Sequence, residues 1–201
     1  MTYEVVIVDD GSLDETASVA QALSAARPQV RVVRLSPNRG LGGALRAGFD
    51  AAHGEWIATL DADLTFRPEG LAELLAAAKK DAADLVSGSP FLRHGDMGDV
   101  PWTRQLPSLM LNALYRGLFS LKLTSYTPIF RLYRASRLRE LPLTSMGFEI
   151  NAEIAARALM RRWRVCEVPA PLGTRSTGVS KLSRGRELSR HLRLIARLLT
   201  S

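Results

Sequence analysis

The chain has 201 residues, a hydrophobic fraction of 46% and a formal net charge of +7, which fits one domain large enough for a real core. Its single cysteine, Cys166, excludes an internal disulfide framework and suits a reducing compartment; no secretory signal and no bilayer-length apolar run is visible in it. Residues 157–201 hold eleven Lys/Arg and two acids, a tail of +9 on a body of −2. Such a surface suits nucleic acid, anionic lipid or phosphorylated ligands, but no nucleic-acid motif or basic–aromatic interleaving accompanies it.

In chain order, residues 3–9 read as a buried strand ending in Asp9-Asp10-Gly11-Ser12. Gly11 permits a sharp turn, and Ser12 or Asp14 can cap a helix over 13–26. A strand over 30–35 leads to Asn38-Arg39-Gly40-Leu41-Gly42-Gly43 and a helix over 40–52. The backbone N–H groups of that loop, a helix N-terminus and Arg39 suit an anion; tight packing would also explain the glycines. Residues 55–60 form an apolar, β-branched strand followed at once by Asp61-Ala62-Asp63. Ligands of open α/β sheets bind outside the carboxyl ends of strands. Two clustered carboxylates there repel unless a cation lies between them, and Mg²⁺ or Mn²⁺ suits such oxygens. The alternative is a pair of solvated loop acids.

A helix over 68–79 and a strand over 84–87 complete a βαβ alternation, which predicts a mostly parallel sheet with helices on both faces. Residues 91–107 read as an active-site loop, followed by a helix over 108–121 and a strand over 129–133. A helix over 149–162 and a strand over 164–168, with Cys166 as core, end the main body. Residues 170–185 read as a basic loop. At the end, Leu188, Leu192, Ile195 and Leu199 repeat with helical spacing opposite Arg186, Arg190, Arg193 and Arg197. This helix suits the surface of an anionic membrane or a docked surface position with its arginines in water. The division expected is 1–185 as the main domain and 186–201 as a basic amphipathic helix.

The ordered set Val8-Asp9-Asp10-Gly11-Ser12, Asn38-Arg39-Gly40, Asp61-Ala62-Asp63, Ser87-Gly88-Ser89, Phe130-Arg131, Gly147-Phe148-Glu149, Glu167-Val168-Pro169 and Gly178-Val179-Ser180-Lys181 resembles family 2 glycosyltransferases of the GT-A fold. It is most similar to their dolichol-phosphate mannose synthase and polyprenyl-phosphate glycosyltransferase branch. The resemblance implies an inverting, Mg²⁺- or Mn²⁺-dependent transfer of a hexose, mannose or glucose, from a GDP- or UDP-sugar to a polyprenyl phosphate. The place implied is the cytoplasmic face of a membrane, as a peripheral protein, with no nucleic-acid partner. Asp63 would be the direct metal ligand, with Asp61 reaching the metal or the ribose. Asp9, Asp10 and Ser12 would face base and ribose, while Arg39 and Gly40 would support the nucleotide. Arg131, Arg175 and Lys181, together with Arg134, match the branch's basic positions for the acceptor phosphate, Arg131 being the catalytic cation. Glu149 is divided between helix capping and the active site.

Members of the family normally begin with a further strand upstream of the Val-Asp-Asp-Gly motif, so the chain reads as lacking the first βα unit. Pro90 stands where the family commonly has Arg, and Thr65 where a Gln or Ser often assists the metal. The Gln-x-x-Arg-Trp motif of processive polysaccharide synthases is absent, Arg161-Arg162-Trp163 having no matching Gln. The rival readings are a family 2 enzyme with a hydroxyl acceptor and an inactive nucleotide-binding fragment.

Overall fold

The computed structural model describes residues 2–93, 102–173 and 184–200. In chain order the elements are β1 (Val5–Asp9), α1 (Thr16–Ala26), β2 (Val30–Arg34), α2 (Gly40–Ala51) and β3 (Trp56–Thr59). A 3-10 turn over Pro68–Gly70 opens α3 (Leu71–Lys80), followed by β4 (Leu85–Ser89), α4 (Trp102–Leu118) and β5 (Arg131–Arg134). Then come α5 (Ala135–Arg139), α6 (Ile150–Met160), β6 (Val165–Pro169) and α7 (Arg184–Leu199). The alternation read from the sequence is there. α4 starts six residues before the expected 108, and α5 is an addition.

The strands form two hydrogen-bonded sheets. β1 and β2 pair in parallel, Val5 opposite Val30 through Asp9 opposite Arg34. The other sheet has the order β3-β5-β4-β6. β5 runs antiparallel to both β3 and β4, while β4 and β6 are parallel. The expectation of a mostly parallel sheet is corrected at this strand. α4 and the loop after it return the chain to the edge where β4 ended, so β5 must run back. The same geometry sets β3, β4 and β6 parallel to one another. Their carboxyl ends, with the start of β5, therefore share one edge.

The core lies behind that edge. Leu85, Tyr133, Ile150 and Ile154 are fully buried together with Phe49 from α2 and Trp163. Leu74, Val86, Phe130 and Leu132 fill the α3 side. Each fully buried chain of this size contributes roughly 1.5–3 kcal/mol. α6 is buried almost all round because it is rich in alanine: Ala152, Ala155, Ala156 and Ala158 let neighbours approach on both flanks.

α7 docks on this body through His191, Leu194, Ile195 and Leu198, which pack with Tyr115 of α4 and the α6 alanines. The boundary drawn at 185/186 therefore separates nothing in packing terms. The leucine stripe read from the sequence is also corrected. Ile195 is buried, but Leu188, Leu192 and Leu199 are about half exposed. The docked face is rotated by about a quarter turn from that stripe.

β1 departs from its reading as a buried strand. Val5 is exposed and Val6, Ile7 and Val8 are half-buried. Among the described residues β1 pairs with β2 alone, and Ile7 lines an open groove of about 540 Å³ with Val19, Ala20 and Leu23 of α1.

Candidate active site

Two loops meet at the carboxyl ends of β1 and β2. Asp10 accepts the N–H of Arg39 on Oδ1 at 2.7 Å, and its carbonyl accepts Asn38 Nδ2 at 2.6 Å. Gly11 makes the turn possible with φ +76°, a region that costs other residues energy. Asp9 is 2% exposed. It accepts the Ser12 N–H at 2.9 Å and lies 3.4 Å from Arg34 Nε. The Ser12 hydroxyl and N–H, aided by the Arg34 charge, hold its carboxyl below the usual range. Asp9 and Ser12, expected to face base and ribose, are thus engaged with each other in the turn. Asp10 is half-buried, as Ser12 is, and Arg39 is exposed. Asp14 accepts the Thr16 N–H at 3.0 Å and starts α1.

The glycine loop also has an internal role. The Gly40 N–H donates to Asn38 Oδ1 at 3.1 Å and the Gly42 N–H to the Met146 carbonyl at 2.8 Å. A Cβ on Gly42 would fall 2.1 Å from Ser145 O. These two donors, expected to face an anion, are committed to protein partners, and Gly42 serves the close approach of α2 to residues 145–147.

Asp61 and Asp63 follow β3 at the shared edge. Asp63 Oδ1 accepts both the N–H and the hydroxyl of Thr65, at 3.0 and 2.7 Å. Thr65 thus steers this carboxylate, a link the sequence reading placed only by analogy. Both acids are half-buried. The Gly173 N–H donates to the Thr65 carbonyl at 2.8 Å, so the segment after β6 closes on this loop. Among the described residues no group of three or more His, Cys, Asp or Glu converges as a metal cluster. Two hard oxygen donors one residue apart still fit Mg²⁺ or Mn²⁺ of the type whose remaining positions are taken by water and substrate phosphate.

Arg131 starts β5 at the same edge but points inward, with no exposed surface. Its Nε donates to Ser87 Oγ at 3.2 Å, Nη1 to the Asn151 carbonyl at 2.5 Å and Nη2 to the Tyr126 carbonyl at 2.9 Å. The reading of Arg131 as a catalytic cation on the acceptor phosphate is corrected in this respect: three protein acceptors occupy its fork. Arg134 sits three residues on, at the opposite end of β5. It stacks on Trp56 at 4.5 Å and pairs with Glu55 at 3.2 Å and Asp84 at 3.7 Å. Arg175 and Lys181, with the Gly178–Lys181 motif and residues 94–101 of the expected loop, lie outside the described residues.

The segment before β5 is strongly built, which the sequence did not disclose. Glu167 of β6 accepts the N–H groups of Thr124 and Ser125 at 2.7 and 3.3 Å. Asn112 Oδ1 accepts the Tyr126 N–H at 2.9 Å, and Ser89 Oγ lies 2.6 Å from Thr124 Oγ1. Burial pushes the Glu167 carboxyl upward against those hydrogen bonds and the Arg131 charge. Glu149 Oε1 accepts the N–H groups of Met146 and Gly147 at 3.3 and 3.1 Å and so ties down the turn entering α6, without a side-chain bond to the helix N-terminus. Glu153 fastens the same turn through Thr144 and Ser145.

This mixed α/β sheet, with helices packed on it and an acid pair following β3, has the GT-A fold of sugar transferases. The chain belongs to glycosyl transferase family 2, whose family model matches residues 1–141. It is 34% identical over 203 residues to the dolichol-phosphate mannosyltransferase of Pyrococcus furiosus, covering 99% of this chain and 56% of that protein. It thus spans little more than half the length of that relative. It is 34% identical over 186 residues to the polyprenol monophosphomannose synthase of Mycolicibacterium smegmatis, covering 89% and 70%. Identity to the undecaprenyl-phosphate mannosyltransferase of Micrococcus luteus is 35% over 193 residues, covering 90% and 76%. Among solved structures, glucosyl-3-phosphoglycerate synthase from Mycobacterium tuberculosis with Mg²⁺ and uridine diphosphate superposes with a TM-score of 0.68 at 20% identity. That match covers 97% of this chain and 66% of the other. The likeness supports the fold.

Proposed function

We propose that this chain carries the catalytic part of a glycosyltransferase that moves a mannosyl group from a nucleotide diphosphate sugar to a polyprenyl phosphate. One observation carries the reading: three relatives that align with nearly the whole chain are all named for mannosyl transfer to a polyprenol or its phosphate. The acid pair at the shared edge supports it. The donor breaks its bond between sugar C1 and the β-phosphate oxygen, and negative charge grows on the departing diphosphate. Asp61 and Asp63 would hold Mg²⁺ or Mn²⁺ against that diphosphate. When bound, such an ion supplies Lewis-acid stabilisation of the leaving charge.

The remaining work belongs to the chain's own residues. Thr65 fixes the direction of the Asp63 carboxylate. Asp10 and Arg39 present a joined loop pair to the nucleoside end. The acceptor phosphate is already an oxyanion, so its oxygen can form the new bond to C1 without a general base. Arg131 is a positioning residue, holding the Tyr126 carbonyl and α6 in place, while Arg175 and Lys181 are the cations assigned to the acceptor.

The test is transfer from radiolabelled GDP-mannose and UDP-glucose to a short, water-soluble prenyl phosphate with Mg²⁺ or Mn²⁺, comparing wild type with Asp63→Ala. Nucleoside diphosphate binding is followed by calorimetry with and without metal. The expected result is metal-dependent mannosyl transfer, lost in the variant together with the metal dependence of binding. Donor hydrolysis without prenyl product would overturn the acceptor assignment. Absence of both transfer and metal-linked binding would leave an inactive nucleotide-fold module.

A further inference from the structure

Among the described residues three that are not glycine hold a left-handed backbone: Leu64 at φ +56°, Ala82 at +45° and Arg162 at +58°. Two of them end helices. Ala82 follows α3, and the Ala83 N–H donates back to the Ala78 carbonyl at 2.9 Å. Arg162 follows α6, and the Trp163 N–H reaches the Ala158 carbonyl at 2.9 Å. A left-handed residue after a helix is a common way to satisfy its last carbonyls. Leu64 ends no helix. It is the residue between Asp63 and Thr65, which are joined across it by the Thr65 N–H and hydroxyl on Asp63 Oδ1. Its own N–H donates to the Asp61 carbonyl at 3.3 Å.

This conformation costs a residue with a side chain energy that glycine would not lose. Gly11 and Gly40 fill the left-handed positions of the two loops that carry Asp10 and Arg39. What leucine adds at 64 is an aliphatic side chain, and that chain is 54% exposed. Phe66, two residues on, is by contrast buried and stacked on Phe130. An exposed leucine alone is ordinary. One held in an unfavourable backbone region at the tip of an acid loop is not, because strain of this kind gathers where ligands are held.

Two neighbours place the tip. Asp61 and Asp63 lie on its N-terminal side. On the other side runs the segment after β6: the Gly173 N–H donates to the Thr65 carbonyl at 2.8 Å, and a Cβ on Gly173 would lie 3.7 Å from the Leu64 carbonyl oxygen. Gly173 stands two residues before Arg175, the cation assigned above to the acceptor phosphate. The tip is therefore where the acid pair and the start of the basic segment meet.

We infer that the Leu64 side chain packs on the first isoprene unit of the acceptor, the apolar group esterified to its phosphate, and so sets the preference for a prenyl phosphate over the bare anion. The inference rests on the acceptor reading above and adds to it a residue that recognises the lipid portion. Chemistry selects the occupant. In transfer the acceptor oxygen bonds to sugar C1 beside the departing diphosphate, which brings the ester-linked isoprene within a few bonds of the acid pair. Diphosphate and metal are charged, a hexose presents hydroxyls, and the nucleoside end belongs with Asp10 and Arg39. The branched isoprene is the one component whose apolar surface gains by covering an aliphatic side chain.

Equilibrium binding of a radiolabelled short, water-soluble prenyl phosphate, with nucleoside diphosphate and Mg²⁺ present, tests this without turnover. Methyl phosphate, the same anion without the isoprene, is the control competitor. Leu64→Gly and Leu64→Asn both suit a left-handed backbone and remove the aliphatic contact. Each is expected to weaken prenyl phosphate by about tenfold, with methyl phosphate and nucleoside diphosphate within about twofold of wild type. Leu64→Met, which keeps an apolar chain, should restore most of the prenyl affinity. Unchanged prenyl phosphate affinity in both the glycine and asparagine variants overturns the inference and leaves the acceptor reading standing. An equal loss for methyl phosphate or nucleoside diphosphate also overturns it, since Leu64 would then only shape the acid loop. Wild type binding prenyl phosphate no better than methyl phosphate overturns the acceptor reading and the inference together.

Discussion

Glu167 Oε2 accepts the backbone N–H of Thr124 at 2.7 Å, tying the last strand of the sheet to the segment that precedes β5. The same carboxylate takes Ser125 N–H, and its charge acts on the buried Arg131. One side chain therefore fixes the backbone wall of the edge at which Asp61 and Asp63 stand. Glu167→Ala should leave two buried N–H groups unpaired. The expected outcome is a loss of about 2 kcal/mol in urea unfolding and a larger proportional fall in kcat than in donor KM, measured by steady-state transfer.

Arg131→Met should be more damaging to stability than to nucleotide affinity. It removes three buried hydrogen bonds, to Ser87 Oγ and to the Tyr126 and Asn151 carbonyls. A loss of roughly 3 kcal/mol is expected. Arg131→Lys should not restore it, because an ammonium lacks the planar fork that reaches three acceptors. Nucleoside diphosphate affinity within a few fold of wild type would support its positioning role.

Gly42→Ala tests the packing role of the glycine loop. The added methyl would lie 2.1 Å from the Ser145 carbonyl, so α2 must shift. A destabilisation of about 1–3 kcal/mol follows from overpacking, readable as a lowered melting temperature.

His191 gives a pH signature. Burial between α7 and α4 pushes its pKa down to about 4, partly opposed by the Glu149 charge. The unfolded chain then takes up a proton more readily than the folded one below pH ~6.5. Stability should fall as pH drops from about 6.5 towards 4, by up to roughly 3 kcal/mol at the lower end. His191→Phe should flatten that part of the curve in urea titrations at successive pH values. Wild type and variant sharing the same slope would refute this account.

Much of the architecture was legible because it is written in period and punctuation. Strand-helix alternation through residue 89 follows from apolar runs ended by Gly, Asp and Asn, and the Asp61-Ala62-Asp63 pair stands where a strand must stop. The direction of side chains was less legible. Arg131 reads as a cation on an apolar strand, and sequence alone does not say whether its fork faces solvent or three carbonyls. On α7 two overlapping leucine stripes exist. The docked one is the stripe that contains His191, because Tyr115 gives that histidine a polar partner inside the core. Asn112 and Glu167 carry no spacing signal at all; their partners lie fourteen and over forty residues away.

The separation of the β1–β2 ladder from the four-stranded sheet has a mechanical consequence. Asp10 and Arg39 ride on one ladder and Asp61 and Asp63 on the other, with α2 packed on the first and reaching α5 of the second. No ladder joins the two among the described residues, so α2, whose Phe49 packs in the core of the larger sheet, is the piece that relates them. A nucleotide gripping both sides would act as a clasp, slowing amide exchange in β1 and β2 far more than in β4 and β5, which are already locked.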